Sequence, residues 1–303
     1  MAVSVFLIKK WYKMLTGKSY LHVNQDLGRC FKKNKIRGYY NNMTEKVTML
    51  PELLENDDLP KLYLEDGGFT YFPVAIFQYG LGAYDLYLQT KEEKYLRKFM
   101  QCADWAMEHQ DDMGRWNNFS HFSPEHPYGA MAQGEGASLL VRAYEHTKEA
   151  KYLNAAEEAV LFMLMPLEKG GTLYMWADQA YLMEYTFLDV VLNGFIFAWW
   201  GLYDFVLAKH DKGLYWLCMD RTLKSMVHIL PEFKCSYWSM YSRDGKIASP
   251  FYHNLHIAQM QAMYQLTGKE IFDEYAKLWQ RQQKNIFCKS IAFIRKAVQK
   301  ILE

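Results

Sequence analysis

The sequence predicts an all-α toroid, an (α/α) barrel of helical hairpins with short strands or ordered loops at its cleft. Three observations carry that expectation. Four segments starting at Tyr87, Tyr144, Tyr203 and Tyr264 resemble one another, as YLQTKEEKYLRKF and YEHTKEAKYLNAA illustrate, and their starts lie 57, 59 and 61 residues apart. Each is amphipathic with a helical period, so each has one solvated Lys/Glu face. Each follows an apolar stretch rich in small residues, such as PVAIFQYGLGAYDLY or VLNGFIFAWWGLYD. One repeat is therefore a hairpin whose first helix is packed on all sides and whose second faces water. Stacked hairpins of this kind close into a toroid or solenoid, and the loops joining each outer helix to the next inner one gather on one face.

With 303 residues, 50% of them hydrophobic and 17% aromatic, the chain is long enough to bury a sizeable core. Residues 1–50 carry ten Lys/Arg against Asp26 and Glu45, whereas residues 51–70 carry six Asp/Glu against Lys61 alone. The expected organisation is a basic N-terminal extension (1–50), the toroid (51–283) and a basic amphipathic C-terminal helix (284–303). A net charge of +1 gives no footprint for nucleic acid as a partner. Five scattered cysteines without a CxxC pair point to a reducing compartment. The N-terminus MAVSVFLIKKWYKM has lysines after its apolar run and no small-residue cleavage site, so no signal peptide is expected and the location is cytoplasmic. The basic, apolar ends FLIKKWYKML and KNIFCKSIAFIRKAVQKILE fit two arrangements equally: peripheral contact with an anionic inner membrane surface, or packing on the toroid or on the partner of a homodimer.

The inter-repeat segments 111–129, 168–189 and 231–253 interleave aromatics, glycines and β-type residues, which predicts short strands or ordered loops. An aromatic cleft with scattered polar groups suits sugar rings. Within YLMEYTFLDVVLNGF, Glu184 and Tyr185 precede Asn193 and Gly194 at the start of an apolar helix. His253 and His256 share the HxxH spacing, read here as hydrogen bonding to substrate or to the residues that hold it, in preference to metal binding. Gln133 and Glu135 in AMAQGEG sit on an inner helix, where they line the barrel floor or touch the sugar; Gln133 is read as substrate-facing.

Five segments in order, YFPVAIFQYGLGAYDLY, ADWAMEHQDDMGRW, YGAMAQGEGASLLVRAY, MEYTFLDVVLNGFIFAWWGLYD and YWSMYSRDGKIASPFYHNLHIAQMQ, resemble the C-terminal α/α-barrel domain of the D-glucuronyl C5-epimerases. The resemblance runs from about residue 65 to 280. It implies conversion of glucuronate to iduronate within a heparosan-like or capsular polysaccharide, an anionic partner, without metal or cofactor. Residue by residue, it implies that Glu184, Tyr185, Tyr237 and Tyr252 are catalytic and that Asn193 binds substrate. Tyr128, Gln133, His253, His256 and Arg243 complete the expected substrate-binding set. Two departures stand out: Thr186 replaces the family proline after Glu-Tyr, and Met240 replaces an arginine three residues after Tyr237, a loss that Arg243 is expected to make good. The animal members also carry a large β-rich domain between the QYGL and DW segments, which here nearly adjoin.

Inverting C5 of a hexuronate removes a proton α to a carboxylate and returns one on the opposite face. That needs two proton-transferring groups and a means of neutralising the carboxylate as charge develops. A tyrosine, ordinarily titrating near 10, needs help from its surroundings to act as a base. The same barrel and residues would also serve a uronate lyase or a glycoside hydrolase. A non-catalytic carbohydrate-binding protein would keep the aromatic cleft without needing the Glu/Tyr set.

Overall fold

The computed structural model describes residues 19–302. The segment FLIKKWYKML, and the expectations placed on the N-terminus, lie outside them. A short helix α1 (Thr44–Thr48) precedes four hairpins: α2 (Pro73–Thr90) with α3 (Glu93–Glu108), α4 (Ala130–Thr147) with α5 (Ala150–Met163), α6 (Leu192–Lys209) with α7 (Leu214–Ile229), and α8 (Pro250–Thr267) with α9 (Glu270–Lys284). Helix α10 (Ile286–Leu302) follows. Two antiparallel strand pairs decorate the loops: β1 (Lys61–Tyr63) against β2 (Phe69–Tyr71), and β3 (Leu173–Trp176) against β4 (Gln179–Leu182). Of the three expected loop regions, 168–189 carries β3 and β4, 111–129 is a loop without strands, and 231–253 holds single-pair bridges such as Met240 to Ile247.

The inner helices end on one recurring device. Lys91, Lys148, His210 and Gly268 each take a left-handed conformation just past α2, α4, α6 and α8, which stops the helix and turns the chain back. In three of the four hairpins a threonine anchors the turn. Thr90, Thr147 and Thr267 each donate their hydroxyl to the carbonyl four residues earlier and accept the amide two residues later. The Thr-Lys-Glu of the first two repeats, and Thr267-Gly268-Lys269 of the last, are thus the turns themselves.

Inner helices α4 and α6 approach closely because glycine removes the obstacle. A Cβ on Gly201 would stand 2.2 Å from the Gly134 carbonyl oxygen, a distance no side chain tolerates, so both backbones touch there. Residues 37–47 belong to the same core: Tyr39, Tyr40, Met43 and Val47 are fully buried. They are fixed by charge as well as by apolar contact. Arg142 of α4 bridges Asp204 of α6 at 2.6 Å and donates to the carbonyls of Arg37 and Gly38, while Tyr40 donates to the other Asp204 oxygen and Asp85 accepts the Tyr39 amide. Removing one member of such a buried pair costs about 3–5 kcal/mol, because the other charge is left uncompensated. The core therefore runs across the sequence boundary near Pro51.

Candidate active site

All four inner helices present their N-terminal ends to one cavity of about 240 Å³, reached by Val74 and Gln78 of α2, Met131 of α4, Asn193 and Phe197 of α6, and Phe251 and Tyr252 of α8. Helix N-termini carry partial positive charge and unpaired amides, so the cavity favours an anion. Residues 21–25, Lys46, Leu62 of β1 and the loop 118–122 complete its wall.

Glu184 reaches the cavity from the loop after β4. Its carboxyl is buried, with Oε2 lacking a hydrogen-bond partner. Gly194 permits this placement, since a Cβ there would meet Glu184 Oε2 at 2.1 Å. Burial pushes the carboxyl up to about 8, opposed by hydrogen bonding from Tyr185. Tyr185 stacks on Phe119 with ring centroids 4.7 Å apart, and burial, then the neighbouring Glu184 and Tyr252, raise its phenol well above the usual range.

Tyr252 enters from the first turn of α8, where Ser249 caps the helix by accepting the Tyr252 amide. Burial and Glu184 raise its phenol too. Between Tyr185 and Tyr252 stands Tyr241, whose ring lies 4.7 Å from that of Tyr252 and whose hydroxyl interacts with both neighbours. Burial and then Glu184, Tyr185 and Tyr252 raise it in turn. Glu184, Tyr185, Tyr241 and Tyr252 form one electrostatically coupled, hydrogen-bonded cluster.

The floor of the cavity holds a second polar set. Gln78 donates to both oxygens of the fully buried Glu135, at 2.9 and 3.2 Å. Lys46 of α1 lines the wall and donates to the Leu21 carbonyl at 2.9 Å. Burial pushes Lys46 down and Glu135 up, each to about 8, and each is opposed by the charge of the other. Asn193 Oδ1 and Gln25 Oε1 are buried on the same walls without hydrogen-bond partners. Polar atoms left this way in a concave site are places for a ligand's hydroxyls. Among the described residues, no three His, Cys, Asp or Glu side chains converge as a metal site.

Comparison with known proteins decides the family. Residues 109–281, more than half of the chain, match the family model of the D-glucuronyl C5-epimerase C-terminus. The chain belongs to that family. The D-glucuronyl C5-epimerase of Caenorhabditis elegans is 24% identical over 217 residues, covering 62% of this chain and 35% of that protein. An uncharacterised protein of Methanocaldococcus jannaschii is 34% identical over 157 residues, 50% of this chain and 51% of that one. The chain thus spans about a third to a half of the length of these relatives. Solved structures agree on the fold: cellobiose 2-epimerase of Spirochaeta thermophila superposes with a TM-score of 0.54 at 11% identity over 93% of this chain and 86% of that one. An unsaturated glucuronyl hydrolase of Bacillus sp. GL1 gives 0.50 at 14% identity over 82% and 66%.

Of the residues expected from the epimerase resemblance, Glu184, Tyr185, Asn193 and Tyr252 meet at the cavity, and the others do not. Tyr237 lies elsewhere, its hydroxyl accepting from Arg295 of α10 at 3.2 Å; Tyr241, four residues on, is the tyrosine of that loop that contacts Tyr252. Gln133 is fully buried and off the cavity wall, one residue from the Gly134 contact that presses α4 against α6. Tyr128 packs edge-on against Phe162 under the Arg115 guanidinium. His253 is locked between Ser239 and the Trp279 carbonyl and stacks on Trp238 at 3.5 Å. His256 turns Nδ1 to the same Ser239 hydroxyl. Burial pushes both imidazoles down to about 3, so they remain neutral and structural. Arg243 pairs with Glu232 at 2.9 Å, which spends its charge at the surface. Lys46 is the Lys or Arg side chain on the cavity wall. Sequence reasoning missed it because it lies in a basic stretch that reads as solvated surface; its place between Met43 and Val47, both buried, was the available signal.

Proposed function

We propose that the chain inverts C5 of D-glucuronate residues within an anionic polysaccharide, heparosan-like or capsular, to give L-iduronate. The observation that carries this reading is the convergence of Glu184, Tyr185 and Tyr252 at a single aromatic cavity that favours anions, with Tyr241 joined to both tyrosines. The uronate carboxylate lies toward Lys46 and the helix N-termini, whose charge offsets the negative charge that builds as C5 loses its proton. Glu184, in its ionised form, acting directly or through Tyr185, takes the proton from one face of the ring. Tyr252 donates a proton to the other face, and its raised affinity for that proton keeps it in the donor form until the carbanion-like centre develops. Tyr241 links the two groups, so the proton gained on one side returns to the other and the site resets for either direction. The five cysteines are unpaired, which supports work in a reducing compartment such as the cytoplasm.

Incubation of the protein with heparosan in heavy water, followed by NMR, tests the proposal. Deuterium at C5 together with iduronate signals is the expected result. Ultraviolet absorbance from an unsaturated uronate would replace the reading with a lyase. New reducing ends would replace it with a hydrolase. Saturable binding without exchange or cleavage would leave only carbohydrate recognition.

A further inference from the structure

Helix α10 is seated with its amphipathicity turned outward. Its polar side faces the protein: Lys296 donates to the Ile247 carbonyl at 2.8 Å, Gln299 donates to the Gly245 carbonyl and accepts the Ile247 amide, and Arg295 reaches Tyr237 and Gly245. Its apolar side faces outward, with Ile286, Phe287, Ile291, Phe293, Ile294 and Val298 all roughly half to three-quarters exposed. A packed surface helix ordinarily does the reverse, and a contiguous apolar face of this length marks a surface that something covers.

We propose that this face lies on an anionic lipid bilayer. Charge selects that occupant. Residues 286–302 contain no Asp or Glu; Arg295 and Lys296 serve the protein-facing side, while Lys289 and, just before the helix, Arg281 and Lys284 are exposed. A second copy of the chain would bring an equally basic helix against it, whereas acidic headgroups supply the opposite charge and acyl chains take the apolar side chains. The helix lies on the bilayer without crossing it: no helix among the described residues is long and apolar enough to span a membrane. Because α10 clamps residues 245–247 from its other side, the lipid-facing and protein-facing roles fall on different side chains and can be separated by substitution.

The test is co-sedimentation of the 303-residue chain with vesicles of phosphatidylcholine alone or mixed with phosphatidylglycerol, in low and high salt. The expected result is binding to the mixed vesicles, weakened by salt. A Phe287→Ser, Ile294→Ser variant should lose about tenfold or more in partition while keeping its circular dichroism spectrum and its activity on soluble polymer. Should that variant fail to fold, Lys284→Glu with Lys289→Glu, which changes only exposed side chains, should lower binding to the acidic vesicles alone. Absence of binding to phosphatidylglycerol vesicles overturns the proposal, as does equal binding to both vesicle types. Lipid-independent dimerisation of the parent chain that the Phe287→Ser, Ile294→Ser variant abolishes would instead make this face a subunit interface and also overturn it.

Discussion

Gly194 leaves Glu184 its space: a Cβ built on the glycine would stand 2.1 Å from Glu184 Oε2 and 2.6 Å from its Cβ. The LNG glycine on α6 is therefore part of how the carboxyl is aimed. Gly194→Ala should displace Glu184 and lower the inversion rate by about 10², the usual worth of a positioned acid or base. Overpacking of about 1–3 kcal/mol is partly offset by the better helix propensity of alanine, about 1 kcal/mol, so the melting temperature should change little. A variant that keeps both its rate and its melting temperature would show that the carboxyl's position is not critical.

Glu184 also predicts a pH dependence. Its carboxyl moves from an ordinary 4.5 to about 8 on folding, so the folded chain keeps a proton that the unfolded chain releases. The associated stability is complete below about pH 4.5, declines as pH rises, and is gone above about pH 8. Relative to Glu184→Gln, the parent chain should lose stability across that window at up to about 1.4 kcal/mol per pH unit. Chemical denaturation at pH 5, 6.5 and 8 measures it, and a difference that does not vary with pH would mean the carboxyl titrates normally.

How much of this was legible in the sequence differs by kind of residue. The hairpins were readable because the Thr-Lys-Glu turn and the small-residue inner helices are local devices that recur at nearly constant spacing. Glu184, Tyr185, Asn193 and Tyr252 were legible through the resemblance, since they lie at the ends of elements that the repeat already fixes. The remaining residues depend on long-range pairing, which spacing does not encode. Arg243 looked available for a carboxylate but meets Glu232, 11 residues back. His253 and His256 looked poised but turn onto Ser239 and Trp279. Tyr237 and Tyr241 lie on one loop, and which of them meets Tyr252 is decided by the bridge from Met240 to Ile247 and by the Tyr241 amide bonding to Lys246.

Lys46 should act on the substrate's carboxylate and Arg243 should not. Lys46→Met keeps the length of the side chain and removes one charge-assisted hydrogen bond, worth about 1.5–3 kcal/mol. The expected loss in kcat/KM is about 10- to 100-fold. Arg243→Met should leave the rate near that of the parent chain. Competition with carboxyl-reduced heparosan separates charge recognition from general damage, because that polymer should bind the parent chain and Lys46→Met equally well.

Tyr241 and Tyr237 make a paired prediction. If Tyr241 returns the proton between the two faces, Tyr241→Phe should lower turnover about tenfold or more while a single deuterium exchange event at C5 remains detectable. Tyr237→Phe removes only a hydroxyl that meets Arg295, so its turnover should stay near the parent rate. The reverse pattern would restore Tyr237 to the mechanism and make Tyr241 a packing residue.

Tyr252 enters the cavity from α8 while Glu184 and Tyr185 reach it from the loop after β4, so under the proposed reaction its loss should separate exchange from inversion. Tyr252→Phe keeps the ring that packs against Tyr241, His22 and Phe251 and deletes only the hydroxyl, which leaves the fold and polymer affinity close to those of the parent chain. Net inversion should fall by about 10² or more, because no group then protonates the second face. The Glu184 side keeps its capacity to lift a proton and return it to the face it came from. In heavy water the variant should therefore still place deuterium at C5 of glucuronate while forming little iduronate, a signature that a merely destabilised protein does not give. Inversion at the parent rate would remove Tyr252 from the chemistry, and loss of exchange and inversion together would assign proton removal itself to Tyr252.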